Sequence, residues 1–206
     1  MRLLLLIIVS YLLGSIPFGY LIVSAKTGGD VRETGSGGTG ATNVSRRAGK
    51  GAGVVTLVLD ALKGAGAVIF AKVILSGVDQ PRAAWWIGMS GIIAMLGHIF
   101  PVWLGFRGGK GVATSVGVFA VLAPVAVVCA GVLFVVVVWS TRYVSLGSML
   151  AALAIPLFVW LESLIRHVPD VTALVVSTLT GAALIAYAHR GNIQRLLTGT
   201  ETKFSR

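Results

Sequence analysis

The chain has 206 residues, 56% of them hydrophobic and only 12% charged, with 27 glycines; an ordinary soluble domain carries about 25% charged residues. Its 17 Lys and Arg against 7 Asp and Glu give a net charge of +10, but the mean hydropathy of +0.91 excludes a disordered basic tail. An ordinary soluble domain is likewise excluded, nucleic acid is not expected as a partner, and the length fits one membrane-embedded domain over residues 1–206.

A hydrocarbon core about 30 Å thick takes about 20 apolar residues per helical crossing. Runs of that size lie at roughly 3–23, 52–75, 83–104, 145–165 and 170–188, and a longer stretch fills 111–140. As one helix that stretch would measure about 45 Å at the usual rise, too long for an upright crossing. Pro124 lies near its middle and lacks a backbone N–H, so the stretch divides into 111–123 and 125–140. The expected fold is all-α and polytopic, with seven transmembrane helices.

Lys and Arg gather in cytoplasmic loops, which orients the bundle. With seven spans, residues 24–51, 105–110 and 141–144 and the tail from 189 share one side and hold 12 of the 17 basic residues. The other side holds Arg2, Arg82 and Arg166, while Lys63 and Lys72 lie inside a span. This places the N-terminus outside and the C-terminus in the cytoplasm. The first run is too long for a signal-peptide core and lacks a convincing cleavage site, so it is expected to be retained. Cys129, alone in an apolar run, is expected to be a packed, inert thiol.

The polar residues of interest fall on the basic side. Gly35-Ser36-Gly37-Gly38-Thr39-Gly40-Ala41-Thr42-Asn43 precedes Arg46, Arg47 and Lys50. Glycines reach left-handed conformations that turn N–H groups into an anion nest, hydroxyls add donors, and Arg binds phosphate oxygens in pairs. A flexible Gly-Ser linker is the plainer alternative, but it leaves the compact Thr-Asn-x-x-Arg-Arg continuation unexplained. A second cluster, Gly105-Phe106-Arg107-Gly108-Gly109-Lys110-Gly111, opens the helix beginning Val112-Ala113-Thr114-Ser115. Helix N-termini favour phosphate, and Lys110 adds a point charge. The order of Lys110 and Gly111 excludes a Walker A loop, and close packing through small residues is the competing explanation.

Asp60 and Lys63 share one helical face within a span, where either charge alone would be costly, so both need partners. His98 lies near the cytoplasmic end of its span, His167 on the outer side, and His189 begins His189-Arg190-Gly191-Asn192-Ile193-Gln194-Arg195 at the exit of the last span. Their spacing makes no metal site.

Together these residues resemble the bacterial acyl-phosphate:glycerol-3-phosphate acyltransferases, the PlsY family. The resemblance rests on Gly14-Ser15-Ile16-Pro17-Phe18-Gly19, Gly35-Ser36-Gly37 with Gly40-Ala41-Thr42-Asn43, and Asp60 with Lys63-Gly64. It continues through Gly97-His98, Lys110-Gly111-Val112-Ala113-Thr114, and His189 with Asn192 and Gly199-Thr200-Glu201. It implies acyl transfer from acyl phosphate to the 1-hydroxyl of glycerol 3-phosphate, giving lysophosphatidic acid and phosphate for phospholipid synthesis. The implied place is a bacterial cytoplasmic membrane, with the site facing the cytoplasm and no cofactor.

Ser36, Arg46, Lys110, His189 and Asn192 carry over as the catalytic set. Gly37, Gly40, Thr42, Asn43, Gly108, Gly109, Gly111, Thr114, His98, Asp60 and Lys63 are the expected substrate-binding residues. Gly38 and Gly191 depart from the family pattern, which usually has Asn and commonly an acidic residue there. No His is followed by Asp five positions on, so the soluble acyltransferase motif is absent. A small organic-phosphate transporter is the alternative, against which stands the lack of an internal repeat. Acyl-chain length preference and oligomeric state are not legible, a monomer being compatible with the sequence.

Overall fold

The computed structural model describes residues 1–204, and among these residues it contains helices and no strand. The helices are α1 (Arg2–Ser15), α2 (Phe18–Thr27), α3 (Ala41–Ala48), α4 (Lys50–Ile74), α5 (Gln80–Ile99), α6 (Val112–Leu122), α7 (Pro124–Thr141), α8 (Val144–Ile165), α9 (Val171–Ala188) and α10 (Arg190–Leu197). Among the described residues, six segments are long and apolar enough to cross a membrane: Arg2–Thr27, Lys50–Ile74, Pro81–Leu104, Pro124–Thr141, Val144–Ile165 and Val171–Ala188.

The stretch 111–140 breaks where expected, with Pro124 opening α7 in the first turn, where its missing N–H costs nothing. Its first half differs from the expectation in reach: α6 has 11 residues, about 16 Å, and does not span a hydrocarbon core by itself. The first apolar run is also interrupted. It was expected as one helix over 3–23, but Pro17 ends α1 at Ser15 and α2 restarts at Phe18. The Ile16 carbonyl at this break accepts a hydrogen bond from Lys63 Nζ at 2.7 Å.

Helices α4, α5, α6, α8 and α9 meet around a core that includes Val68, Met95, Val118, Phe119, Val159 and Ile185. Glycines bring α4 and α6 into backbone contact: a Cβ on Gly64 would overlap the Thr114 carbonyl, and one on Gly117 the Ala61 carbonyl. By contrast α7 turns most of its surface outward, with Val128, Val132, Val135, Val136 and Trp139 exposed. Cys129 is exposed on this helix, not packed as expected, so an apolar neighbourhood in sequence here means a lipid-facing surface.

Candidate active site

The first glycine loop is folded around one side chain. Asn43, the third residue of α3, donates from Nδ2 to the carbonyls of Val31 (2.8 Å), Thr34 (3.0 Å) and Gly38 (2.9 Å), and its Oδ1 accepts from the Ser36 N–H (3.3 Å). Gly35 and Gly37 take positive φ, as a nest requires. Asn43 thus holds the loop together with hydrogen bonds that sequence reasoning had assigned to a ligand, while Ser36, Gly40, Thr42 and Arg46 face the cavity.

The second glycine loop folds back on the end of α5. Gly108 N–H donates to the Ile99 carbonyl and Gly109 N–H to the His98 carbonyl, both at 3.1 Å. A Cβ on Gly109 would overlap the His98 ring, so glycine is required for this approach. Below the loop, Asp60 Oδ1 lies 3.6 Å from His98 Nδ1 and 2.8 Å from Lys63 Nζ. Lys63 balances the buried carboxylate and reaches back to Ile16, and its ammonium also lies 5.7 Å from the centre of the Phe18 ring.

Lys110 projects from the loop to the C-terminal motif. Its Nζ donates to Asn192 Oδ1 at 2.5 Å, and Asn192 Nδ2 donates to Glu201 Oε1 at 2.7 Å. Glu201 also accepts from Ser145 Oγ (2.8 Å) and Arg195 Nε (2.7 Å). Burial pushes the Lys110 ammonium down to about 8, with Arg195 and Arg46 adding repulsion and Glu201 opposing it. Burial opposes ionisation of Glu201, but hydrogen bonds from Ser145, Asn192 and Arg195 hold its carboxyl below the usual range. His189 Nδ1 lies 2.8 Å from the Ile185 carbonyl, and burial reinforced by Lys110 lowers the ring to about 4. The ring is therefore neutral at pH 7, with Nδ1–H donating and Nε2 left as an acceptor.

These groups line a cavity of about 540 Å³. One end is polar, with Ser36, Arg46, Lys110, His189, Asn192, Arg195 and Glu201, while Asp60 and His98 also contribute to the lining. The other end is an apolar groove between α4, α6, α7 and α8. A second cleft of about 500 Å³, lined by Arg190, Gly191 and Gln194 among others, shares Ser36, Lys110, Asn192 and Arg195 with the first.

The structure thus gathers Ser36, Arg46, Lys110, His189 and Asn192 with Gly40, Thr42, Asn43, Gly109, Gly111, His98 and Asp60. It does not bring Gly37, Gly108, Thr114 or Lys63 to the cavity wall. Thr114 is wholly buried against Gly64, Lys63 points to the α1–α2 break, and Gly108 is enclosed by His98 and Pro101. Gly37 turns the loop behind Ser36, its N–H on the Thr34 carbonyl. Sequence reasoning did not place Ser115, Ser145, Ser148, Glu201 or Thr202 in the site, although all five line the cavity and Glu201 was part of a recognised motif. Ser145 and Ser148, one turn apart and followed by thirteen residues without a charged or hydroxyl side chain, were the readable signal for α8.

A polar pole rich in basic side chains that opens into an apolar groove inside a helix bundle has the form of a site in an integral-membrane enzyme. The family model for glycerol-3-phosphate acyltransferase matches residues 4–199, and the chain belongs to this family. A glycerol-3-phosphate acyltransferase of Thermosynechococcus vestitus is 47% identical over 204 residues, covering 97% of this chain and 93% of the relative. One from Geobacter sulfurreducens is 45% identical over 201 residues, covering 98% and 97%. Among solved structures, the glycerol 3-phosphate form of the integral membrane acyltransferase PlsY superimposes with a TM-score of 0.88 at 38% identity, covering all of this chain and 96% of that one. Its lysophosphatidic acid form gives 0.85.

Proposed function

We propose that the protein moves a fatty acyl group from acyl phosphate to the 1-hydroxyl of glycerol 3-phosphate, releasing lysophosphatidic acid and phosphate. The observation that carries this reading is the junction at Lys110 and Asn192, where a basic cleft meets an apolar groove. A water-soluble phosphate and a lipid-tailed phosphate can meet only at such a place. The solved relative with glycerol 3-phosphate and lysophosphatidic acid forms supports the acceptor and the product.

Arg46 and Lys110 neutralise the phosphates, Ser36 and Asn192 donate hydrogen bonds, and the glycines of both loops shape the pole around them. The glycerol oxygen attacks the acyl carbon, the bond from that carbon to the phosphate oxygen breaks, and the hydroxyl proton leaves on phosphate. His189, neutral and with a low proton affinity, orients glycerol 3-phosphate by accepting at Nε2 from its 2-hydroxyl, which leaves the proton of the attacking 1-hydroxyl to a substrate phosphate oxygen. Acyl phosphate is already activated, so positioning and electrostatics supply most of the rate.

The same reading gives one acyltransferase domain with seven crossings, α6 and its flanking loop serving as the short one. The excess of Lys and Arg around the site puts that face and the C-terminus in the cytoplasm of a bacterium and the N-terminus outside. One chain carries the whole site, consistent with a monomer. Transport of an organic phosphate is not favoured, because the glycine loops converge on one pole. The test is phosphate release and lysophosphatidic acid formation by the purified protein with glycerol 3-phosphate and acyl phosphate, acyl-CoA or an acyl carrier protein thioester. Product from acyl phosphate alone, lost in Lys110→Ala, supports the reading; uptake of glycerol phosphate into vesicles without acyl product refutes it.

A further inference from the structure

The apolar groove has a measurable depth. On α8 the residues facing it run from Ser145 to Ile155, about 15 Å at the helical rise, or half the thickness of a hydrocarbon core. On α7 the facing residues are Val127, Ala130, Gly131 and Phe134, spaced as one helical face. Phe134 packs against Gly147, and only Arg142 and Tyr143 separate α7 from α8, so the two helices run antiparallel in a register that brings Gly131 level with Ala151. That level is about 9 Å below Ser145.

Gly131 differs from the glycines that hold α4 against α6. A Cβ built on it meets no atom within 4 Å, yet the residue lines the cavity. No helix approaches closely enough to require glycine there, and glycine in a helix interior costs about 1 kcal/mol against alanine. Its missing side chain opens space in the groove, opposite the similarly small Ala151 and Ala152.

We propose that Gly131 sets the length of acyl tail that the groove accepts, by leaving open the passage beyond the level of Ala151 toward Val127 and Ile155. This rests on the acyltransferase reading above. A side chain at 131 fills the passage partway down, so the inner part of a long tail is displaced while the carbons next to the polar pole keep their wall.

The experiment compares kcat/KM for hexadecanoyl phosphate with that for decanoyl phosphate in the unsubstituted protein, Gly131→Ala, Gly131→Leu and Val132→Leu. Val132 is 61% exposed on the outer face of α7 and controls for added bulk on the helix. In Gly131→Leu the long-to-short ratio is expected to fall about tenfold, equivalent to ~1.4 kcal/mol of lost tail burial, with a smaller fall in Gly131→Ala and none in Val132→Leu. An unchanged ratio in Gly131→Leu overturns the proposal, as does an equal fall in Val132→Leu. Should Gly131→Leu fail to fold, Gly131→Ala carries the same test. Failure of the unsubstituted protein to use either acyl phosphate is a separate result that removes the acyltransferase reading itself.

Discussion

Lys110 Nζ and Asn192 Oδ1, 82 residues apart in the chain, form a 2.5 Å hydrogen bond that joins the second glycine loop to α10. Glu201 fixes which way the amide faces, because it accepts from Nδ2 and leaves only the oxygen for the ammonium. The cation at the junction is thus aimed by a carboxylate it does not touch. Lys110→Ala is expected to lower kcat at least about 100-fold, as for removal of a preorganised donor to developing charge.

Lys110 also sets an alkaline limit. Its cation is present below about 8 and is lost as pH rises through that value, so kcat/KM is expected to fall on the alkaline side with a midpoint near 8. In Lys110→Arg the group stays charged, and whatever activity remains should lack that limb. A pH profile of both proteins decides this.

Glu201→Gln keeps the shape but removes the charge that Ser145, Asn192 and Arg195 share. The expected destabilisation is about 2 kcal/mol, read as a lower Tm in detergent. The folded carboxyl sits below its ordinary value of 4.5, so its contribution is full above that value and fades as pH falls through the lowered one. Glu201→Gln should therefore narrow its stability gap to the unsubstituted protein below about pH 4.5.

Asp60→Asn leaves the Lys63 ammonium buried without its counter-charge and should cost about 3 kcal/mol. Replacing both, as in Asp60→Leu with Lys63→Met, should recover most of the loss. Thermal unfolding of Asp60→Leu, Lys63→Met and the double variant measures the coupling, and simple additivity would count against a mutual pair.

Gly109→Ala drives a methyl group into the His98 ring and should cost about 2 kcal/mol while displacing Lys110. His98→Ala in the same chain removes the obstacle and should restore part of the stability. Failure of that rescue would mean the loop is held by its backbone hydrogen bonds to His98 and Ile99 alone.

The local chemistry of single residues was the legible part of this chain. Pro124 divided the long apolar stretch correctly because a missing N–H acts on its own turn. Pro17 acts by the same rule, but the run it interrupts already has the length of one crossing, so nothing in its hydropathy or length called for a division there. Helix faces were the harder part. Thr114 and Ser115 are adjacent in sequence and both are buried, but only the packing of Gly64 on α6 decides that Thr114 sits against α4 while Ser115 lines the cavity. Asn43 was recognisable as polar and well placed, yet its use as the clamp of its own loop depends on three carbonyls that composition does not locate. Glu201 belongs to a recognisable motif, whereas its partner Ser145 lies 56 residues earlier, beyond any local pattern.

The bond from Lys63 to the Ile16 carbonyl bears on how the protein is made. A ribosome delivers α1 and α2 to the membrane well before α4, so the interruption at Pro17 enters lipid without the charged donor that later serves it, where exposed backbone polarity is costly. Lys63 in turn must cross with its charge matched by Asp60. Docking of α4 against the α1–α2 break then gives the Ile16 carbonyl its donor, which ties completion of the amino-terminal part of the bundle to one contact.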